Sequence, residues 1–258
     1  MVGMCGRYAT TRDPATLAED FDAVDATGAD APAPDHNVAP TKPVLAVVTR
    51  HPRDEDGTPD PARTERSVRV MKWGLVPHWA KDPSVGSRLI NARAESAAEK
   101  PAFRTSVAHR RCLVPADGWF EWQRDGTGKQ PYFMTPQDGS GVAFAGLWAT
   151  WRPRDGEPGT PPLVTCVVIT TDAVGPFTTI HDRMPLVLPP DAWAAWLDPD
   201  SDDPGAMLAS SPSWLTDRIE LRPVSTAVNN VRNNGAELVE RIDLEPAQPA
   251  LLDLDQLR

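Results

Sequence analysis

The feature that most limits how this chain can fold is its punctuation. Short apolar or alternating runs recur along its length: Val44–Val48, Ser67–Trp73, Cys112–Pro115, Tyr132–Met134, Val142–Trp151, Val164–Thr170 and Ile219–Val224. Each has the length and residue types of a strand, and turns rich in Gly, Pro and Asp separate the later ones. Helical signals are few and short. Asp13-Pro14 reads as an N-cap followed by proline at the first helical position, with Leu17 to Phe21 continuing the helix. Leu89 to Glu95 runs into an alanine-rich helix start, and Pro190-Asp191 to Leu197 reads as a short helix with Trp193 and Trp196 at an i, i+3 spacing. Residues 22–36 read as a loop, and 50–65 as an exposed hairpin.

A chain of 258 residues fits one large domain or two small ones. No apolar stretch reaches the roughly 18 residues of a membrane span, and the N-terminus lacks the basic and apolar regions of a secretory signal. The cysteines at 5, 112 and 166 have neither metal-ligand spacing nor even pairing, so no metal site is expected and a reduced, cytosolic compartment is. Cys112 and Cys166 sit in apolar runs and read as buried packing.

The net charge of −10 argues against indiscriminate nucleic-acid binding, but its distribution is uneven. From Arg63 to Arg111 there are 11 Lys and Arg against 4 Asp and Glu, while the flanking segments 1–62 and 112–258 carry net charges of −6 and −11. The basic segment is either a solvated face or a phosphate-contacting groove.

Three local sequences carry chemistry. If Met4 is the initiator and is removed, Cys5 has a free α-amine beside its thiol. Such a 1,2-aminothiol forms a Schiff base with an aldehyde and closes a thiazolidine ring, and its amine titrates near pH 7.7–8.0, below a lysine. Otherwise Cys5 is a residue of a frayed terminus. In Gly118-Trp119-Phe120-Glu121-Trp122 a lone carboxylate sits among three aromatics. Desolvation there raises its pKa and suits it to general acid–base work, unless period two places Glu121 on a wet face. His181, beside Asp182 and Arg183, is a structural histidine or a proton shuttle. Trp73 and Trp79 flank a Gly- and Pro-broken loop, as core residues or as platforms for bases.

With Cys5-Gly6-Arg7-Tyr8, Asn37-Val38-Ala39-Pro40-Thr41, the stretch from Trp73 to Trp79, Asn91-Ala92-Arg93-Ala94-Glu95, Arg111 to Pro115, Gly118 to Trp122 and His181 to Pro185, the chain resembles the SRAP family, named for SOS response-associated peptidase and also read as abasic-site processing proteins. The motifs fall in the family's order and cover residues 4 to about 230. The resemblance implies a single α+β domain, with a curved, mainly antiparallel, barrel-like sheet and flanking helices, over 4–235. An acidic, Pro/Leu-rich extension follows at 236–258.

The resemblance also implies binding to single-stranded DNA, or to a single-strand/double-strand junction, that holds an abasic site. Cys5 would link covalently to the aldehyde of the ring-opened sugar and shield the lesion. Glu121 would open the sugar ring and exchange protons, Asn91 would orient the Cys5 amine or thiol, and His181 would shuttle protons. Arg7 and Arg93 would hold phosphates, and Trp73 and Pro40 would offer apolar surfaces to the bases. No cofactor is implied, and a monomer is expected, cytoplasmic and associated with the nucleoid when on DNA. Met1-Val2-Gly3 stand ahead of the family's usual start, so initiation at Met4 or cleavage before Cys5 is required. The family's older reading as a peptidase includes self-processing that exposes the cysteine. Two other readings stay open: a cysteine peptidase with Cys5 as nucleophile and His181 as base, and a non-covalent module for single-stranded or modified DNA.

Overall fold

The turn-punctuated runs become strands, in a computed structural model that describes residues 5–124, 128–157, 159–201 and 204–244. In chain order the elements are β1 (Arg7–Thr10), α1 (Pro14–Asp20), β2 (Val24–Asp25), β3 (Asp35–Val38), β4 (Pro43–Arg50), β5 (Glu65–Trp73), β6 (Asn91–Arg93), α2 (Ala94–Ala97), α3 (Arg104–His109), β7 (Arg111–Ala116), β8 (Gly118–Arg124), β9 (Lys129–Pro136), β10 (Val142–Trp151), β11 (Leu163–Asp172), β12 (Arg183–Pro185), α4 (Trp193–Leu197), α5 (Gly205–Leu208) and β13 (Ile219–Pro223). The architecture is α+β. The Asp13-Pro14 signal places its helix correctly, because the Asp13 carboxylate accepts from the Thr16 N–H at 2.9 Å. Residues 22–36, read as loop, also supply β2 and β3.

The curved sheet closes on itself. Its order is β12-β11-β10-β7-β4-β5-β2, and β5 also pairs with β11, so that β11, β10, β7, β4 and β5 form a ring. The pairings are antiparallel except β5 and β6 on β11 and β2 on β5. A second sheet, β13-β9-β8-β1-β3, packs against the ring. Alternation along the ring strands explains this layering. Val44, Ala46, Met71, Trp73, Val114 and Phe144 face the second sheet, where Tyr8, Val38, Trp119 and Met134 meet them. The intervening residues, such as Val47, Val68, Leu113 and Val167, pack under α1 to α4. The second sheet is covered on its outer side too, since Phe120 and Phe133 bury Val224, Val228 and Leu238. Leu238 belongs to the stretch expected to extend from the domain, so 236–239 packs onto it; residues 245–258 of that stretch lie outside the described residues.

The segment from Gly74 to Ile90 leaves and rejoins the same edge of β11. It is pinched at Gly74 and Gly86, whose backbones lie so close that a Cβ on Gly74 would meet the Gly86 oxygen at 2.6 Å. Gly74 also has φ +124°, a conformation open chiefly to glycine. The Trp73 indole ties off the excursion by donating to the Ile90 carbonyl at 2.9 Å.

Arg111, counted in the basic segment, is an internal clamp. Its buried guanidinium donates five hydrogen bonds to the carbonyls of Val107, Ala108, Trp196, Asp198 and Ser201, satisfying the ends of α3 and α4. Arg111→Ala is expected to lower the unfolding free energy by roughly 2–4 kcal/mol, because buried carbonyls lose their donors. Arg111→Lys should restore less than half, since an ammonium cannot reproduce the planar fork. Urea unfolding of the two variants checks both.

Candidate active site

The residues singled out for chemistry converge where the two sheets meet. From the second sheet come Cys5, just before β1, and Glu121 of β8, brought together because β1 pairs with β8 at Arg7↔Phe120. From the ring come Asn91 of β6 and His181, which leads into β12. β6 and β12 both lie along the end of β11, at Val168–Thr170 and Thr170–Asp172 respectively.

Cys5 is buried and adopts a positive φ of 44°, a bend that a non-glycine residue rarely takes. Its nitrogen donates to Glu121 Oε1 at 2.5 Å, and its thiol is hydrogen-bonded to the same carboxyl. Glu121 is 2% exposed, so the wet-face reading fails: both faces of β8 are covered at this point. Burial raises the Glu121 pKa, and the Cys5 hydrogen bonds and the charge of His181 only partly oppose it. Burial and the Glu121 charge push the Cys5 thiol well above its ordinary value. Both shifts favour the protonated form of each group over the carboxylate and the thiolate. Asn91 Nδ2 approaches the Cys5 carbonyl at 3.4 Å.

His181 is half-buried, and its Nδ1 faces two groups with opposite demands. The Arg183 N–H, at 3.0 Å, needs a lone pair there; the Asp182 carboxylate, at 2.8 Å, needs a proton. Which of the two is served depends on whether Nδ1 carries a proton, which the ring tautomer alone can change. Arg183 and Glu95 received no role from the sequence. Here the buried Arg183 makes a two-pronged contact with Glu95, at 2.6 and 3.0 Å, a further bond to Asp172 at 2.5 Å and one to the Thr170 carbonyl at 2.7 Å. This fork fastens the His181 stretch to the end of the Asn91 stretch across β11. Both residues stand in quoted motifs, but 88 residues separate them and no local spacing pairs them.

The expected DNA contacts divide. Arg93 is exposed and shares a strand face with Asn91, and Pro40 is half-buried after β3. Trp73 is 1% exposed and packs edge-on to Tyr8, so it offers no face to a base; the exposed indole of that loop is Trp79. Arg7 turns inward. Its guanidinium donates to Asn37 Oδ1 at 2.7 Å and to the carbonyls of Val228 and Asn229, above the Trp122 ring. Cys112 and Cys166 are buried thiols of the core, as their surroundings imply.

A carboxyl with a raised folded-state pKa contributes most to stability below its unfolded value, near 4.5, and that contribution is lost as pH rises through the folded value. Glu121→Gln, which stays neutral, should therefore gain stability relative to the parent as pH rises from 4.5 to 8. Chemical denaturation of both proteins across that range checks the sign.

Known proteins share this arrangement of sequence. The family model described as SOS response associated peptidase (SRAP) matches residues 4–231. The abasic site processing protein YedK of Escherichia coli (strain K12) is 36% identical, with 93% of this chain and 100% of that protein aligned. The abasic site processing protein YoqW of Bacillus subtilis (strain 168) is 34% identical, over 92% of this chain and 99% of that one. A crystal structure of a protein from Bacteroides thetaiotaomicron superposes with a TM-score of 0.74 at 22% identity, covering 92% of this chain and 100% of the other, and so shares its fold. With the family model spanning nearly all of the described domain and these relatives aligned almost end to end, the chain belongs to the SRAP family.

Proposed function

We propose that this protein processes abasic sites in single-stranded DNA by closing a thiazolidine between Cys5 and the aldehyde of the opened sugar. The names of the relatives support the substrate. The observation that carries the chemistry is the contact of the Cys5 nitrogen with buried Glu121, whose pKa burial raises and whose carboxyl also engages the thiol. With Cys5 leading the chain, its amine adds to the aldehyde carbon. Glu121 gives its proton to the departing hydroxyl, which leaves as water, and an imine results. The thiol then adds to the imine carbon while its proton passes through Glu121 to the nitrogen. The sum is aldehyde plus aminothiol giving thiazolidine plus one water. Asn91 holds the Cys5 carbonyl and fixes the bend, His181 carries protons near Glu121, and exposed Arg93 holds a flanking phosphate.

The same contact supports a preparatory self-processing step. Hydrolysis of the Met4–Cys5 bond adds water to the Met4 carbonyl and releases the nitrogen that Glu121 holds, and the Glu121 proton goes to that leaving amine. A general cysteine peptidase fits less well. Its thiol needs a depressed pKa beside a base, whereas the Cys5 thiol is pushed up and bonded to a carboxyl.

The test is incubation with a single-stranded oligonucleotide carrying one abasic site, read by denaturing gel and intact mass. Protein with verified N-terminal Cys5 is expected to give an adduct lighter by one water than the sum of its parts. Cys5→Ala and a form blocked ahead of Cys5 should give none, and Glu121→Gln should slow adduct formation by roughly 10²–10⁴-fold. An N-terminal Cys5 protein that yields no adduct overturns the proposal.

A further inference from the structure

The ring carries a second concentration of cations at its other end. Val44, Trp73 and Phe144 sit under the second sheet, towards the Cys5 site. Continuing by twos along the same strand faces leads to Arg50 on β4, Arg69 on β5 and Trp148 on β10, with Arg110 just ahead of β7. From Trp73 to Arg69 and from Phe144 to Trp148 is about 13 Å of strand, so the buried core separates this place from the Cys5 site. The second sheet does not reach it. An open groove of about 590 Å³ remains, lined by these four residues together with Arg53, His109 and one carboxylate, Glu65.

The side chains there are arranged around one aromatic ring. The Arg50 and Arg110 guanidiniums lie 5.7 and 5.4 Å from the centre of the Trp148 indole. Burial and the nearby charges of Arg69 and Arg53 lower the Arg50 pKa, and Glu65 only partly offsets them. Among the described residues no carboxylate forms an ion pair with Arg50, Arg69 or Arg110. Crowding like charges opposes folding, and a bound anion relieves it. In a protein of net charge −10 this groove is therefore a focused attraction for anions. Arg50 is level with Arg110, just ahead of β7, and faces Glu65 on β5, while Arg69 lies four residues further along β5 opposite Ala46, so the three cations spread across and along the groove over roughly 16 Å and can meet successive phosphates of one strand.

We propose that this groove is a second nucleic-acid site, which holds the phosphates of a single strand on Arg50, Arg69 and Arg110, apart from the Cys5 site. It rests on the reading that the protein works on DNA, and it is testable without any covalent step.

Anisotropy titrations use the Cys5→Ser protein and undamaged single-stranded oligonucleotides of about 6 and 30 residues, over a range of salt. The long strand is expected to bind more tightly and with a steeper salt dependence than the short one. Arg50→Gln/Arg110→Gln should lower the slope for the long strand by about 1.4, two phosphates at roughly 0.7 each, and Arg50→Lys/Arg110→Lys should restore it. Should the glutamine pair fail to fold, Arg69→Gln alone carries the same test with a drop of about 0.7. An unchanged slope for the long strand overturns the proposal, and does so equally if inorganic phosphate is found to bind the groove. Loss of slope together with failure of the adduct assay would retain this site and reject the thiazolidine reading.

Discussion

A buried carboxyl hydrogen-bonded by Cys5 is the interaction on which the site depends. Glu121 is almost fully buried on a strand covered on both faces, where a charged carboxylate is unfavourable. Cys5 answers with both of its polar groups, the nitrogen and the thiol. On the proposed reading, local stability and reactivity are the same contact: what compensates the buried acid is also what an aldehyde must reach. The left-handed bend at Cys5 is the strain this arrangement carries, held by β1 on one side and by Asn91 on the other.

The two sheets divide the labour. The second sheet supplies Glu121 and Cys5, while the ring supplies Asn91 and His181 from opposite edges of β11. Packing of Tyr8 against Trp73 and Phe144 sets how the sheets meet. The Arg183 fork to Glu95 then fixes the two ring contributions to each other. Three carboxylates, Glu95, Asp172 and Asp182, surround that arginine and His181, so acidic groups outnumber basic ones at this edge of the site.

Much of the fold was legible because its signals are local. Period-two runs such as Ser67–Trp73 and Val142–Trp151 became strands within a residue or two, and Asp13-Pro14 started its helix where capping chemistry puts it. The burial of Glu121 was foreseen, but only in part for the right reason: Phe120 and Trp122 point to the opposite face, into the Val224 and Val228 cluster, and Trp119 alone of the three shares the face of Glu121. What was not legible depends on partners far along the chain. Nothing near Arg7 says that its guanidinium turns to Val228, and nothing near Trp73 says that Tyr8 and Ile90 enclose it. Ring closure itself, made by β5 on β11, leaves no local trace. The basic segment was a correct count that hid three destinies: Arg111 inside, Arg93 beside the site, and Arg69 with Arg110 in the far groove.

The grip of Arg7 and Asn37 on residues 228–233 has a temporal consequence. Asn37 Nδ2 alone reaches the carbonyls of Val228, Asn230 and Asn233, and Arg7 spans 221 residues to Val228. During synthesis β1 emerges first and the segment that anchors it emerges almost last. At roughly 5–20 residues per second, at least ten seconds of translation separate the two. Cys5 is therefore locked into its bend only once residues 228–233 have left the ribosome. A chain stopped before them would display Cys5 without its anchor, and quality control would meet it as an unanchored strand edge.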